Sequence, residues 1–342
     1  MKIIKNYSCS NLWVFKYIAK LLTIVIFLFI FHFFKKLQKY STTIINEIIN
    51  YNKINNKLDY ENNTFAILKR ISCYECGLFS YYKLFLGCIV KHLSKGEIPI
   101  IDMQSDINMY NGYNSNSSEN PWESFFYQID GYNLNEVRKY AKKINNYICG
   151  TNNRFPDRNI FFNQVLIKYW HDMAKIYIRI KENILNEAKS IMNSLFKGNK
   201  NILGILLRGT DFITTRPKNH PIPPKIETVI EDINEMDKNN NYKYFFLATE
   251  DDKIRNEFIK KYKEKLKYFK YKEELNYNYK KKFLISDNKI VGNLEFAKIY
   301  LINMIILSKC IDIIVARTNG SMGVFIFSEG FRNTKIYNLG NY

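Results

Sequence analysis

The chain has 342 residues, which suggests about two domains with some length left for a tail or an anchor. Hydrophobic residues make up 46% of it and charged residues 24%, a composition that supports a sizeable core and excludes an intrinsically disordered protein. The formal net charge of +19 favours anionic partners, namely nucleic acid, an acidic membrane surface or phosphorylated small molecules. With only 14 glycines and 7 prolines, collagen-like and proline-rich architectures are excluded.

The chain begins with a segment that contains an apolar run over residues 21–34. Extended back to Leu12, this run is long enough to cross a bilayer if Lys16 and Lys20 are tolerated. No small-residue cleavage site follows the run, which argues against a removed signal peptide. Residues 12–39 therefore predict membrane attachment, either as a spanning anchor or as a basic helix lying in the interface, with a buried core helix as the remaining alternative.

We expect residues 1–40 to form this anchor or interfacial helix and the asparagine-rich residues 41–63 to form a short stem. The six cysteines are too few and too irregularly spaced for a disulfide framework, which predicts a reducing compartment and a cytoplasmic body. Cys73 and Cys76 form the only close pair in the sequence. Without a second pair of ligands, they are either ordinary thiols near a turn or part of a zinc or redox site.

The compact body begins at residue 64 with a β-α-β pattern. Residues 65–71 are strand-like, residues 79–93 are helical and residues 98–103 form a short apolar strand. Such a unit demands a parallel sheet with ligands at the carboxyl ends of its strands. A long polar loop over residues 108–120 follows, and loops of this length are often functional.

The rest of the body repeats the alternation after two helical patterns, over residues 134–148 and 160–196. Residues 198–200 mark a domain boundary. Beyond it, strand patterns alternate with helical ones, the strands over residues 202–207, 244–248 and 311–316 and the helices over residues 226–237, 253–265 and 295–307. Two Rossmann-like halves in tandem, an α/β fold, are the natural interpretation.

The sharpest motif is Arg208-Gly209-Thr210-Asp211, which comes directly after the first strand of the second half. At the carboxyl end of a parallel strand, a guanidinium can project into the cleft and bind a phosphate with two parallel hydrogen bonds. A fixed cation there would also stabilise the negative charge that develops as a glycosyl group leaves a nucleoside diphosphate. Asp211 would orient Arg208, hold Thr210 or contact the substrate. The alternative is an Arg-Asp ion pair that only ties the loop together.

The second strand end carries Thr249-Glu250-Asp251-Asp252. Acidic residues at this position can bind ribose hydroxyls, act as a base, chelate a metal or cap the helix that follows. Side-chain oxygens of Thr249 or Asp251 would satisfy free backbone amides there, so capping alone explains part of the motif.

The third strand end is a small glycine-containing loop, residues 317–321, that opens an apolar helix. Asn319, Gly320 and Ser321 could cradle a phosphate at the positive end of the helix dipole, or they could form an ordinary helix cap. His220 lies between the Arg208 loop and the next helix, and a lone histidine is more often structural than catalytic.

These motifs together resemble the fucosyltransferase-like branch of the GT-B glycosyltransferases, which includes the α1,6-fucosyltransferase and nodulation fucosyltransferase group. The second half carries the resemblance in Arg208-Gly-Thr-Asp211, His220-Pro221, Leu247-Ala-Thr-Glu-Asp251, Leu307-Ser-Lys-Cys-Ile-Asp312 and Asn319-Gly-Ser321. The first half resembles bacterial surface-polysaccharide members of this branch in Gly77-Leu-Phe-Ser80, Ile101-Asp-Met-Gln104 and Trp122-Glu-Ser-Phe-Phe126. The matches span about residues 65–339.

The resemblance implies a GT-B fold, with an N-terminal acceptor-side domain over residues 64–197 and a nucleotide-sugar-binding domain over residues 198–342. It implies inverting transfer of a sugar without a metal or other cofactor, with GDP-fucose as the first candidate donor and a glycan of surface polysaccharide or glycoconjugate synthesis as the acceptor. By position, the catalytic residues would be Arg208 and Asp211. The implied donor contacts are Gly209, Thr210, His220, Thr249, Glu250, Asp251, Asn303, Asn319, Gly320 and Ser321, and the implied acceptor contacts are Gly77, Asp102, Trp122 and Glu123.

Three positions depart from the family's pattern. Leu206 stands where the hallmark histidine is expected, and Asn303 stands where related enzymes have an aspartate associated with guanine recognition. Arg216 stands where the α1,6 enzymes have a glutamate proposed as the base, and it cannot accept a proton. That role would fall to Asp102, Asp211 or Glu250, unless stabilisation of the leaving group dominates.

Three classes of function follow from the sequence. A membrane-associated glycosyltransferase accounts for the tandem halves, the strand-end arginine and the anion-binding loop. A non-catalytic sugar- or lipid-binding protein on the same fold accounts better for the three departures. Only the positive net charge suggests nucleic-acid binding, and the sequence contains no zinc-finger or RNP-like motif. We therefore expect no nucleic-acid partner.

Overall fold

The computed structural model describes residues 58–70, 76–112, 117–150, 155–209, 213, 216–270 and 294–342. The chain divides into two compact units, Met1–Ile54 and Asn55–Tyr342, and only the second contains described residues. The predicted anchor over residues 1–40, most of the predicted stem and Cys73 lie outside the described part. Within that part, no helix combines the length and the apolar character needed to cross a bilayer.

The first sheet has three parallel strands in the order β2-β1-β3, which are Ile98–Ile101, Thr64–Arg70 and Lys143–Cys149. The centre of β1 is buried because Phe65 to Leu68 are all apolar, as expected for a parallel strand covered on both faces. Helix α1, Leu78–Leu93, connects β1 to β2. The predicted β-α-β unit is confirmed.

The second sheet has five parallel strands in the order β6-β5-β4-β7-β8. Along the chain these are β4 Ile202–Leu206, β5 Tyr244–Ala248, β6 Leu266–Lys267, β7 Asp312–Ala316 and β8 Thr334–Tyr337. The chain builds outward from β4 through β5 to β6 and then crosses to β7 on the other side. The strand order therefore reverses between β4 and β7, and the carboxyl ends there form a crevice in which ligands of open α/β sheets bind.

Helices cover both faces of the second sheet. Leu203 and Ile205 of β4 point to one face, where they pack with Val229 and Phe258 of α5 and α6. Gly204 points to the other face, where a Cβ would lie 3.1 Å from Leu307 at the end of α7. The helices after α1 are α2 Leu134–Tyr140, α3 Gln164–Tyr177, α4 Glu182–Phe196, α5 Ile226–Asn240, α6 Asp252–Tyr262, α7 Leu294–Leu307 and α8 Asn319–Phe327.

Helix α1 of the first half packs directly against α8 of the second. A Cβ on Gly323 of α8 would lie 3.0 Å from Cζ of the Phe79 ring, closer than such carbons approach in practice. The same ring contacts Tyr300 and Phe327, each with ring centroids 5.6 Å apart. The missing side chain of Gly323 therefore allows the two helices to come together through Phe79.

Two predicted helical patterns differ from the structure. The pattern over residues 134–148 is a helix only to Tyr140, and Lys143–Cys149 instead forms β3 because it pairs with the whole length of β1. The pattern over residues 160–196 is interrupted between α3 and α4. There the amide of Tyr127 donates to the carbonyl of Arg179 at 2.9 Å, and the amide of Lys181 donates to that of Phe125 at 3.0 Å. Tertiary pairing prevails over helix periodicity at both places.

A disulfide joins Cys88 of α1 to Cys149 at the end of β3, with the two Cα atoms 6.4 Å apart. Cys76 is disulfide-bonded as well. The sequence spacing did not predict the bond between Cys88 and Cys149, because residues 61 positions apart meet only through the fold.

Candidate functional site

A cavity of about 950 Å³, including space open to solvent, lies at the carboxyl ends of β4 and β5. We call it the first cavity. Gly77, Leu78 and Tyr110 line it from the first half of the body. The second half contributes, among others, Leu206, Arg208, Ala248, Thr249, Glu250, Tyr300 and Asn303. Two of the predicted motifs therefore meet at one site, at the carboxyl ends of the neighbouring strands β4 and β5.

Arg208 is held by an acidic neighbour from the next strand. Its Nε lies 3.1 Å from Oε1 of Glu250, and the two side chains are 20% and 19% exposed. The amide of Gly209 donates to the same carboxylate oxygen at 3.0 Å. Glu250 thus orients the guanidinium on the cavity wall. The predicted partner Asp211 lies outside the described residues, as does Thr210.

Gly209 is required where the loop passes the next strand end. A Cβ at this position would lie 2.6 Å from Cβ of Asp251, a distance that side chains do not tolerate. The absence of a side chain lets the backbone after Arg208 approach Asp251 closely, so the glycine contributes to the placement of Arg208.

The remaining acidic residues of the second motif have structural partners. Asp251 accepts hydrogen bonds from the amides of Lys253 at 2.8 Å and Ile254 at 3.2 Å, so it caps α6, one of the predicted alternatives. Asp252 forms ion pairs with Arg255 and Lys270. In the described part of the chain, no three histidine, cysteine or acidic side chains are grouped as metal ligands would be.

Asn303 of α7 has an oxygen without a hydrogen-bond partner in the described structure. Its side chain is 8% exposed, and Nδ2 donates to the carbonyls of Ile299 at 3.0 Å and Phe269 at 3.3 Å. These two bonds fix the orientation of the amide, while the buried Oδ1 accepts none. Because a buried acceptor without a donor is unfavourable, Oδ1 is suited to accept from a ligand in the cavity that Asn303 lines.

The loop over residues 317–321 forms a helix cap. Thr318 caps α8 by accepting from the amide of Ser321 at 3.1 Å, and the Ser321 hydroxyl donates to the carbonyl of Ala316 at 2.5 Å. Ser321 is fully buried, and the Tyr300 hydroxyl lies over Gly320. The Ser321 hydroxyl, predicted as a phosphate contact, thus already has a partner inside the fold. Asn319 is exposed, and neither it nor Gly320 lines the first cavity.

His220 is also placed away from the first cavity. Its Nδ1 lies 3.1 Å from the carbonyl of Lys218, and its own carbonyl accepts from the amide of Tyr342 at 3.0 Å. The residue is exposed, and its backbone is hydrogen-bonded to the last residue of the chain. This position favours the structural alternative for His220.

Among the predicted acceptor contacts, Gly77 lines the first cavity but Asp102 does not. Asp102 is fully buried, 2.5 Å from Nη2 of Arg138 and 3.4 Å from Nζ of Lys69. Its Oδ1 also accepts from the amides of Gln104 and Ser105. A carboxylate with these partners organises the end of β2, while its roles as an acceptor contact or base stay predictions.

Trp122 and Glu123, the other two predicted acceptor contacts, also have partners inside the fold. The Trp122 ring is fully buried and stacks within the core, 4.4 Å from the centroid of Phe126. Glu123 accepts from Asn133 at 2.7 Å, from Gln128 at 2.9 Å and from the amide of Leu134 at 3.3 Å. Both residues fix the segment beside α1 rather than offering a surface to an acceptor.

Several cavity residues were missed at the level of sequence, including Leu78, Tyr110 and Tyr300. Tyr110 belongs to the long polar loop whose length indicated function, whereas no motif singled out Tyr300. Burial raises the pKa of the Tyr110 hydroxyl well above its ordinary value, which keeps it protonated. It therefore remains a neutral donor at physiological pH.

No protein-family model matches the chain, and no curated protein matches its sequence. Solved structures do match. NodZ α-1,6-fucosyltransferase soaked with GDP-fucose is 13% identical, with 78% of this chain and 93% of that chain covered and a TM-score of 0.45. Fucosyltransferase NodZ from Bradyrhizobium is 13% identical over 74% and 88%, with a TM-score of 0.42. POFUT1 in complex with GDP is 11% identical over 83% and 100%, with a TM-score of 0.44.

The matched structures are fucosyltransferases, the group that the sequence motifs resemble. Because these identities and TM-scores are low, the activity has to be inferred from the residues of the site itself.

Proposed function

We propose that the protein is a glycosyltransferase that binds a nucleotide sugar in the first cavity and transfers the sugar to a glycan acceptor. The observation that carries the proposal is the position of Arg208. It follows the central strand β4, is oriented by Glu250, and lines a cavity to which both halves contribute. In the GT-B arrangement that we propose, residues 64–197 face the acceptor and residues 198–342 hold the donor.

The lining of the cavity supports a nucleotide sugar. Arg208 provides a cation on one wall. From the first half of the body, Gly77 and Leu78 form the amino end of α1, where the helix dipole favours an anion. A diphosphate suits the space between these two positive features.

The proposed chemistry is a single displacement with inversion. The acceptor hydroxyl forms a bond to the anomeric carbon, the bond from that carbon to the diphosphate breaks, and the leaving group takes the electron pair. Arg208 would neutralise the charge that grows on the distal phosphate, a role that a metal fills in other transferases. This supports metal-independent transfer.

The base that takes the proton of the acceptor is a separate question. Glu250 lines the cavity but holds Arg208 and the amide of Gly209. Asp102 is buried in its own ion pairs, and Arg216 is a cation. We therefore propose that stabilisation of the leaving group makes the main contribution and that Asp211 is the remaining candidate base.

Asn303 supports a particular kind of donor. Its fixed Oδ1 would accept a hydrogen bond from an N–H group on the edge of a nucleobase, and guanine offers two such donors side by side. We therefore propose a GDP-sugar, with GDP-fucose first among the candidates and a glycan of surface polysaccharide or glycoconjugate synthesis as the acceptor. Attachment to a membrane through residues 12–39 is part of the proposal and rests on the sequence alone.

The test is a thermal-shift series with GDP, UDP and dTDP sugars on the full chain. Because a ligand that binds only the folded state stabilises it by about 2.7 kcal/mol at a hundredfold excess over Kd, a GDP-sugar should raise Tm measurably. Arg208→Ala should abolish the rise, and Lys168→Ala should retain it, since Lys168 is an exposed cation 78% open to solvent. If no nucleotide sugar shifts Tm in the wild-type chain, the proposal is wrong.

A non-catalytic sugar-binding protein on the same fold is the second candidate. Leu206 favours it, because this aliphatic side chain lines the first cavity where the hallmark histidine was expected. Release of free fucose from GDP-fucose, or its transfer to glycan extracts, would separate the two candidates. A nucleotide-induced shift in Tm without either reaction would identify a binding protein.

A further inference from the structure

A second cavity of about 1030 Å³, including space open to solvent, lies where α3 meets α4 and where α7 and α8 end. We call it the second cavity. Lys175, Arg179 and Glu182 line it from α3, α4 and their junction, and Lys309 and Glu329 line it from beyond α7 and α8. Of the motifs found in the sequence, only Leu307-Ser-Lys-Cys-Ile-Asp312 reaches it, through Ser308 and Lys309.

Aromatic rings separate the second cavity from the first. Tyr300 lines the first cavity, and Tyr82 and Phe327 line the second. Phe79 lies between them, with its ring centroid 5.6 Å from those of Tyr300 and Phe327 and 5.7 Å from that of Tyr82. A ligand in one cavity is therefore walled off from a ligand in the other.

Tyr82 gives the second cavity a buried polar group that needs a partner. The residue is 1% exposed, and its hydroxyl has no hydrogen-bond partner in the described part of the molecule. Burial raises the pKa of this hydroxyl, so it stays protonated and can both donate and accept. Buried hydroxyls in native proteins are nearly always satisfied, so a polar group that enters the second cavity can supply the partner that Tyr82 lacks.

His171 adds an acceptor to the same lining. Its Nδ1 lies 2.8 Å from the carbonyl of Ile326, and a carbonyl can only accept, so Nδ1 carries the proton. In the neutral ring, Nε2 is then an acceptor. The cavity thus offers a donor and an acceptor from two different helices.

Tyr127 contributes a preformed aromatic wall. It is 37% exposed, yet its backbone is bonded to that of Arg179, and the Arg179 guanidinium lies 5.2 Å from the centre of its ring. These contacts hold the ring without a ligand, which lowers the entropy lost on binding.

The charges around the second cavity nearly cancel. Lys175, Arg179 and Lys309 contribute three positive charges, and Glu182 and Glu329 contribute two negative ones. Among the described residues, these five side chains form no ion pairs with one another. A polyanion gains little from such a lining, whereas a neutral ligand with many hydroxyl groups finds donors and acceptors of both kinds.

We propose that the second cavity binds a neutral sugar unit, with Tyr127 packing against the apolar face of the pyranose ring and with Tyr82 and His171 bonding its hydroxyls. Such a site would hold a sugar at a distance from the first cavity, independently of the reaction proposed there. The inference does not require the proposed function, because it rests on a different set of residues.

Saturation-transfer-difference NMR on the full chain tests the inference, with the methyl glycosides of glucose, galactose and mannose and with N-acetylglucosamine as probes. At least one of them should receive saturation from the wild-type protein. Tyr127→Ala should weaken its binding about tenfold, and Tyr82→Phe should weaken it while leaving Tm unchanged or raised, since it removes a buried hydroxyl without a partner. Arg208→Ala should bind the probe like the wild type.

Four results would overturn the inference. One is the absence of saturation transfer to all four probes, and another is equal transfer in the wild type, Tyr82→Phe and Tyr127→Ala. The third is displacement of the bound sugar by inorganic phosphate at low millimolar concentration, which would identify an anion site instead. Loss of the signal only in Arg208→Ala would place the sugar in the first cavity and also count against the second.

Discussion

At the scale of single residues, the pair of Arg208 and Glu250 carries the proposed chemistry. We expect Arg208→Ala to lower turnover by on the order of a hundredfold or more, because it removes the fixed cation from the leaving diphosphate, much as the loss of an oxyanion-hole donor does. Steady-state transfer from GDP-fucose measures the effect, with Lys168→Ala as the matched loss of one exposed charge. Turnover within threefold of the wild type in a folded Arg208→Ala variant would contradict this role.

A second prediction concerns Asn303, because its two amide atoms have different roles. Nδ2 fixes the side chain in the fold, and Oδ1 would accept a hydrogen bond from the ligand. Asn303→Leu should weaken GDP binding about tenfold by removing the acceptor that faces the base. Asn303→Asp keeps an oxygen but cannot donate to the carbonyls of Ile299 and Phe269, so it should retain more affinity while lowering Tm. Calorimetric titration with GDP gives the affinities. Equal affinity in the wild type and Asn303→Leu would show that Oδ1 does not touch the nucleotide.

Several residues that the sequence singled out lie on the first cavity. Arg208, Thr249 and Glu250 reach the first cavity because parallel strands end at a common edge, a rule that the strand pattern alone invokes. The strand pattern does not tell whether a polar side chain near such an edge faces the cavity or the interior. Asp102 and Ser321 illustrate this, since neighbouring amides, cations and carbonyls satisfy them inside the fold.

At the scale of secondary-structure elements, the close contact between α1 and α8 depends on Gly323. Gly323→Ala should lower the free energy of unfolding by about 1–3 kcal/mol, because its Cβ would overlap the Phe79 ring in a packed interface. Phe79→Leu in the same chain should relieve part of the loss. Urea unfolding of the single and double variants forms the test.

Gly150→Ala is the matched control for that substitution, since a Cβ there would meet nothing within 4 Å. A control as destabilising as Gly323→Ala, or a double variant that shows no coupling, would rule out the steric explanation.

Element boundaries were predicted least well where tertiary pairing competes with local pattern. The buried strands β4, β5 and β7 are short apolar runs and were predicted nearly to the residue. Strand β3 was missed because most of its residues are partly or fully exposed, so its sequence lacks the apolar run of a central strand. The break between α3 and α4 depends on Phe125 to Tyr127, a partner more than fifty positions away that periodicity does not contain.

At the scale of the whole molecule, Asp312 links stability to pH. Although burial raises its pKa, hydrogen bonds from Arg332, Tyr242 and Asn333 outweigh this and hold the pKa below its ordinary value of 3.8. A carboxyl with a depressed folded pKa contributes stability that is present above the unfolded pKa and is lost as the pH falls through the folded one. Acid should therefore weaken the fold below about pH 4.

Asp312→Asn should remove this component of the acid sensitivity while lowering stability at neutral pH, since the amide cannot replace the ion pair with Arg332. Urea unfolding at about pH 5 and about pH 3 measures both effects. The wild type should lose more stability between the two conditions than the variant does. Equal losses would show that other carboxyls control the acid transition.

The contact of Phe79 with Gly323 also bears on how a ligand could be selected. This contact holds α1 against α8 near the first cavity. Moving the two halves of the body apart as rigid bodies would expose the rings of Phe79, Tyr300 and Phe327 to water. The walls are thus held at a set spacing. The cavity would then select donors by the length of their phosphate group. A donor whose phosphates contact both Arg208 and the start of α1 would bind, and a donor too short to contact both would not.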